Sequence, residues 1–210
     1  MKTEKKTLFL AQFAMLLAVE IIVCFTPLGS LPIGPLVATL SSVPVIITAL
    51  TLGTAAGTAM GFFTGLFSFI VWTFMPPSPL GFVFTPFSQM GDVHGNGWSL
   101  VICFVPRILI GLTAGLSFHG LSKAFPKAKI LAYSLSGVIG SMTTTILVLA
   151  GIYVFFGKEY AAALGTSYDL LLGALGITVA TNGVLEAVIC GVLAYAVCYP
   201  INKHFNRQRA

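Results

Sequence analysis

The sequence predicts an all-α integral membrane protein: a six-helix bundle with both termini on the cytoplasmic side and a long outer loop between the third and fourth helices. Three observations predict it. Of the 210 residues, 57% are hydrophobic and 8% charged, with a mean hydropathy of +0.97, and a soluble domain of this size cannot hide so much apolar surface in one core. Apolar stretches recur at residues 8–26, 35–51, 53–75, 98–121, 130–156 and 171–199, where a spanning helix needs about 20 residues. The basic residues cluster: Lys2, Lys5 and Lys6 at one end, Lys123, Lys127 and Lys129 in one connection, and Lys203, Arg207 and Arg209 at the other end, nine of the eleven in all. These clusters fall on one side of a six-span chain, which is the positive-inside pattern. The net charge of +5 therefore sets orientation in the lipid bilayer and does not point to nucleic acid. Residues 1–210 read as a single membrane domain.

The first apolar run follows three lysines but is helix-length and lacks a small-residue cleavage site, so it reads as a retained span. Ala11, Ala14 and Ala18 share one of its faces, and Ala14 and Ala18 form a small-x-x-x-small pair that admits close approach of another helix. The second span contains Pro44, which kinks or shortens it. A tight uncharged turn at Leu50 to Gly57 must follow, and a re-entrant pair stays open as an alternative. In the third span Gly53, Gly57, Gly61 and Gly65 recur every fourth residue, a seam for internal packing or for a partner. Gly111 and Gly115 repeat that spacing in the fourth. No internal repeat supports an inverted-repeat secondary transporter.

Between the third and fourth spans, Trp72 to Trp98 contains Pro76, Pro77, Pro79 and Pro86, so no continuous helix crosses it. Its middle, with Leu80, Phe82, Val83, Phe84 and Phe87, is too apolar for a solvated connection. It reads as a lid over a ligand site or as a loop lying on the membrane surface.

Three ionisable residues lie inside the spans: Glu20, Arg107 and Glu186. Charges at membrane depth are costly and normally face a bundle interior, where they pair with each other or with a ligand. Counting from the outer helix ends at about 1.5 Å per residue, Glu20 lies roughly 9 Å deep, Arg107 roughly 14 Å and Asn182 roughly 17 Å. Thr143, Thr144 and Thr145 reach a similar level, and Glu186 sits one turn below Asn182 on the same face. Arg107 offers a planar fork of donors suited to a carboxylate or phosphate; the alternative is a structural ion pair with Glu20 or Glu186. Asn182 and the threonines suit ligand hydroxyls or amides, or interhelical contacts.

Cys24, Cys103, Cys190 and Cys198 fall in apolar runs without C-x-x-C spacing and read as buried free thiols. His94 and His119 lack a second ligand at metal spacing. There is no phosphate-binding loop, no H-E-x-x-H and no nucleophile with a credible base, so the chain reads as a binder of small molecules, not an enzyme, with no cofactor and no metal.

The strings LPIGPL (Leu31 to Leu36), SPLGFVFTPF (Ser78 to Phe87) and GNGWSLVICFVPRILIGLTAG (Gly95 to Gly115), together with the six-span length and Ala14-x-x-x-Ala18, resemble the substrate-specific S components of energy-coupling factor (ECF) vitamin transporters, most of all their pantothenate-specific branch. The resemblance covers essentially the whole chain. It implies a multi-pass protein of a bacterial plasma membrane that binds vitamin B5 from outside and delivers it inward with a membrane-embedded coupling subunit (T component) and, indirectly, two ATP-binding cassette ATPases. It further implies that Ala14 and Ala18, with Ala11, meet the coupling subunit. Arg107 would pair with the ligand carboxylate, Asn182, Thr143 and Thr144 with its amide and hydroxyls, and Phe84 or Phe87 would cover its dimethyl group; Glu186 fits an anion site only when paired or protonated. An S component for another vitamin or precursor, such as hydroxymethylpyrimidine, would use Glu186 and Trp98 instead. A non-catalytic membrane scaffold recruiting a partner through the glycine seam is the remaining alternative.

Overall fold

The computed structural model describes the backbone of residues 2–26, 29, 31–33, 36–38, 40–91 and 93–209, and the side chains of 6–26, 29, 40–91 and 93–203. The side chains of the Leu31 to Leu36 string and of Lys2, Lys5, Arg207 and Arg209 lie outside the described residues.

Helix α1 spans Lys2–Phe25 and is followed by an antiparallel pair, β1 (Leu31–Ile33) and β2 (Leu36–Ala38), with Leu31 opposite Ala38. Helices α2 (Ser42–Leu52) and α3 (Thr54–Phe74) come next. A 3₁₀ turn at Pro79–Val83 and a hairpin of β3 (Gln89–Met90) and β4 (Val93–His94) lead into α4 (Gly97–Ala124). After α5 (Lys129–Ala163), the chain runs through α6 (Tyr168–Thr178), a π-helical turn at Val179–Gly183 and α7 (Val184–Arg209). Among the described residues, five stretches are long and apolar enough to cross a membrane: Lys6–Phe25, Thr54–Phe74, Gly97–Ala124, Lys129–Ala163 and Tyr168–Lys203.

The second stretch departs from the expected helix over 35–51. Residues 36–38 pair as a strand, and the helix begins only at Ser42. Pro44 supplies the reason. A proline is accepted in the first turn of a helix, where its missing N–H has no intrahelical acceptor, but in an interior it clashes with the carbonyl four residues back. A helix begun at 35 would have placed Pro44 in its interior. The resulting 11-residue α2 is shorter than a span, and Gly53, at φ +105°, turns the chain directly into α3.

Gly57, Gly61 and Gly65 of the glycine seam are packed inside the molecule, while Gly53 is exposed. A side chain at Gly57 would strike Ala49, one at Gly61 the backbone carbonyl of Arg107, and one at Gly65 the ring of Phe104. Gly111 meets Gly57 backbone to backbone. Bare backbone thus lets α3 and α4 approach closely, and it fixes the height of Arg107 against α3.

Two apolar clusters form on either side of a polar layer. One gathers Trp72, Leu80, Phe82, Val83, Phe84, Ile102, Ile152 and Phe156 with Leu171 and Leu175. The other gathers Val45, Ile46, Met60, Ile110, Tyr133, Cys190 and Cys198. Along each of the long inner helices the buried polar residues fall between the two: Thr64 on α3, Arg107 on α4, Ser141 and Thr144 on α5, and Asn182 and Glu186 across the π turn and α7.

Candidate functional site

The polar layer is built from local chemistry at Pro106. Proline has no N–H to donate, so the carbonyl four residues earlier, that of Ile102, has no helical partner. The next residue is Arg107, whose Nη1 turns back and donates to that carbonyl at 3.4 Å. The guanidinium also lies over the face of Phe84, 5.3 Å from the ring centroid, within cation–π range. Arg107 is 4% exposed, yet that one long bond occupies a single donor of the five that a guanidinium carries. The remaining donors of this buried, permanently charged group have the fork geometry that matches a carboxylate or phosphate.

Phe84 reaches Arg107 because the proline-rich loop folds into the bundle. Leu80, Phe82, Val83, Phe84 and Thr85 are buried, and Phe84 stacks on Trp72 at 4.6 Å. The start of α4 pins the loop: Asn96 and Ser99 form a reciprocal cap, and the Ser99 hydroxyl also donates to the Phe82 carbonyl at 2.7 Å. Gly95 lies where a side chain would strike the Thr85 and Phe82 carbonyls. The loop is therefore a packed cover and not a solvated connection.

Three further helices bring groups to the same level. Gly183 packs on Thr145, which sets the π-helical turn against α5. Asn182 is buried within the π-helical turn, a local widening that recurs at functional sites because it re-aims side chains. Strand β2 lies against this turn, so the first loop borders the layer as well. Thr144 is buried and its Oγ1 has no protein partner. Glu186 is buried and accepts a hydrogen bond from the Ser42 hydroxyl at 2.7 Å. Glu20 is fully buried, with Thr64 facing it; Cys24 donates to its Oε1 at 3.2 Å, and its Oε2 has no protein partner. A buried polar atom left without a partner costs about 1–3 kcal/mol, which makes the Thr144 hydroxyl and Glu20 Oε2 the unsatisfied groups of this layer.

Other residues singled out in the sequence stand elsewhere. Thr143 is half-buried, and its hydroxyl is returned to the Ile139 carbonyl at 2.7 Å. Phe87 is 75% exposed and packs on Phe69, outside the cover it was expected to join. Trp98 is half-exposed and stacks on Phe155 with centroids 4.3 Å apart. Sequence reasoning passed over Ser42, the partner of Glu186, and Trp72, the platform under Phe84. The dipeptide Pro106-Arg107 was the available signal for the Ile102 contact.

On α1, Ala11, Ala14 and Ala18 are all exposed, while Glu20 on the opposite face is buried.

Residues 8–198 match the family described as ECF transporter, substrate-specific component. The chain is also 35% identical over 175 residues to the pantothenic acid transporter PanT of Lactococcus lactis subsp. cremoris (strain MG1363), covering 83% of this chain and 82% of that protein.

Proposed function

The chain belongs to the substrate-specific components of ECF transporters, and on that premise we propose that it is the membrane subunit that captures pantothenate from outside and passes it inward. The observation that carries this reading is the buried Arg107 guanidinium, sandwiched between Phe84 and the polar layer with donors to spare. Pantothenate carries one carboxylate, one amide, two hydroxyls and a dimethyl group. Arg107 takes the carboxylate, Asn182 and Thr144 the amide and hydroxyls, and Phe84 lies against the dimethyl carbons. Glu186, already engaged by Ser42, accepts from a ligand hydroxyl and does not compete for the guanidinium.

In this reading both termini are cytoplasmic, α2 and the first hairpin together complete a sixth crossing, and a membrane-embedded coupling subunit with two ATPases supplies the energy. The hydroxymethylpyrimidine reading needs an aromatic platform at Trp98, and that ring is taken by Phe155.

Calorimetric titration of the purified chain tests the ligand. Pantothenate should bind saturably, whereas hydroxymethylpyrimidine, thiamine, riboflavin, biotin and folate should not; saturable binding to none of the six, or to one of the other five alone, sinks the assignment. The cover makes a separate expectation. Amides of Leu80 to Thr85 should exchange hydrogen more slowly with pantothenate present than without it, and equal protection in the two states would make the loop a fixed part of the fold.

A further inference from the structure

A cavity of about 390 Å³ opens at the end of the bundle remote from the polar layer. It lies between the last turns of α4, the first turns of α5 and the end of α7, and is lined by Phe118, Ser122, Phe125, Lys129, Tyr133 and Asn202, with Pro126 and Ala132. Its polar side chains include several donors. Asn202 Nδ2 is committed within the fold, donating to the Leu50 carbonyl at 3.2 Å and to the Tyr133 hydroxyl at 3.0 Å. Because the buried Tyr133 oxygen accepts that bond, its own hydrogen is left to donate. Lys129 adds an ammonium and Ser122 a hydroxyl, and the exposed Lys123 and Lys127 adjoin the lining residues Ser122 and Pro126 in sequence.

None of the four acidic residues whose side chains are described, Glu20, Glu159, Asp169 and Glu186, lines this cavity. Its other wall is apolar, with Phe118 packed on Tyr133 at 4.6 Å. A donor-rich, carboxylate-free wall facing an aromatic one fits an amphiphile with an anionic head. Inorganic phosphate would have no use for the second wall. The lysines also place this end on the cytoplasmic side, where basic pockets between spanning helices receive phospholipid head groups.

We infer that this cavity seats the phosphate head group of an anionic phospholipid from the inner leaflet. Lys129, Ser122 and Tyr133 hold the phosphate, and Phe118 and Phe125 lie against the glycerol and the first methylenes. The site is separate from the layer around Arg107.

Native mass spectrometry of the purified full chain, released from mixed micelles of phosphatidylglycerol or phosphatidylcholine, tests this inference. The wild type should keep one phosphatidylglycerol under conditions in which it keeps no phosphatidylcholine. Lys129→Ala should weaken that retention about fivefold, the loss of one lysine's attraction near an anionic surface. Ser122→Phe, which fills the cavity without removing a charge, should weaken it as well. Lys158→Ala, toward the other end of α5, should change nothing. An unaltered thermal unfolding midpoint in Lys129→Ala separates loss of the site from misfolding. Equal retention of the two lipids, equal retention by wild type and Lys129→Ala, or displacement by millimolar inorganic phosphate overturns the inference. So does a defect in Lys129→Ala confined to assembly with the coupling subunit, which would make the cavity a protein-docking surface.

Discussion

Replacing Arg107 by alanine should weaken pantothenate binding by about 2–5 kcal/mol, the usual consequence of leaving a desolvated charge without its partner, or roughly thirty- to several-thousand-fold in Kd. The size follows from burial. Arg107 is 4% exposed and sits between two apolar clusters, so a ligand carboxylate that enters this layer loses its water and has few other charges to replace it. Arg107→Lys should recover only part of the loss, because an ammonium cannot present the two parallel donors of the fork. Pantothenol, which carries a hydroxyl in place of the carboxylate, supplies the control. It should bind the wild type weakly and should be nearly indifferent to Arg107→Ala, since the interaction removed by the mutation is already absent from the ligand. Equal losses for pantothenate and pantothenol would show that the substitution damages the site as a whole and would remove Arg107 from the carboxylate. The Ile102 carbonyl freed by Pro106 loses its donor in Arg107→Ala, so a modest drop in unfolding temperature should accompany the affinity loss.

The parts of this site that were legible in the sequence are those that obey one-dimensional rules. A charge inside an apolar run is rare and costly, so Arg107, Glu186 and Glu20 announce themselves, and a rise of about 1.5 Å per residue places them and Asn182 in depth. The structure buries Arg107, Thr144, Asn182 and Glu186, and close packing sets Gly61 of α3 on Arg107 and Gly183 on Thr145. Azimuth was less legible than depth. Thr143 and Thr144 differ by about 100° around the helix, and only packing decides which one faces inward. The loop was legible as an interruption, because four prolines forbid a helix, but not as a fold. Whether Phe84 or Phe87 turns inward depends on the local Pro79–Val83 turn and on the anchoring of Phe82 by Ser99, seventeen residues along the chain. The π-helical turn had no signal in composition, since Val179 to Gly183 reads as an ordinary helical stretch. The short α2 was readable in part: Pro44 limits where that helix can begin, while the strand pairing ahead of it comes from a hairpin that a window tuned to apolar length absorbs into the span.

The second large effect expected concerns α1, whose outer face is unpartnered in this chain. Ala14→Trp and Ala18→Trp should each reduce pantothenate uptake by the assembled transporter to background while leaving the affinity of the isolated chain unchanged. The argument rests on the two faces of one helix. Phe13, Leu16 and Leu17 pack against the cluster around Val45 and Met60, and Glu20 is fully buried, whereas Ala11, Ala14 and Ala18 are exposed next to Met15 and Ile22, which are 68% and 59% exposed. Residues 18 and 20 are separated by roughly 200° around the helix, so an indole at Ala18 projects away from Glu20 and from the polar layer. It cannot alter ligand contacts directly. Against a partner helix the same indole is decisive, because small-x-x-x-small surfaces associate through close backbone approach and have no space for a large ring. Ala11→Trp, one turn nearer the N-terminus, should give a smaller uptake defect if the contact is centred on the Ala14 and Ala18 pair. Binding measured on the isolated chain and uptake measured on the complete transporter separate the outcomes. Loss of binding in Ala14→Trp or Ala18→Trp would mark this face as part of the fold, and normal uptake in both would place the coupling subunit on another surface.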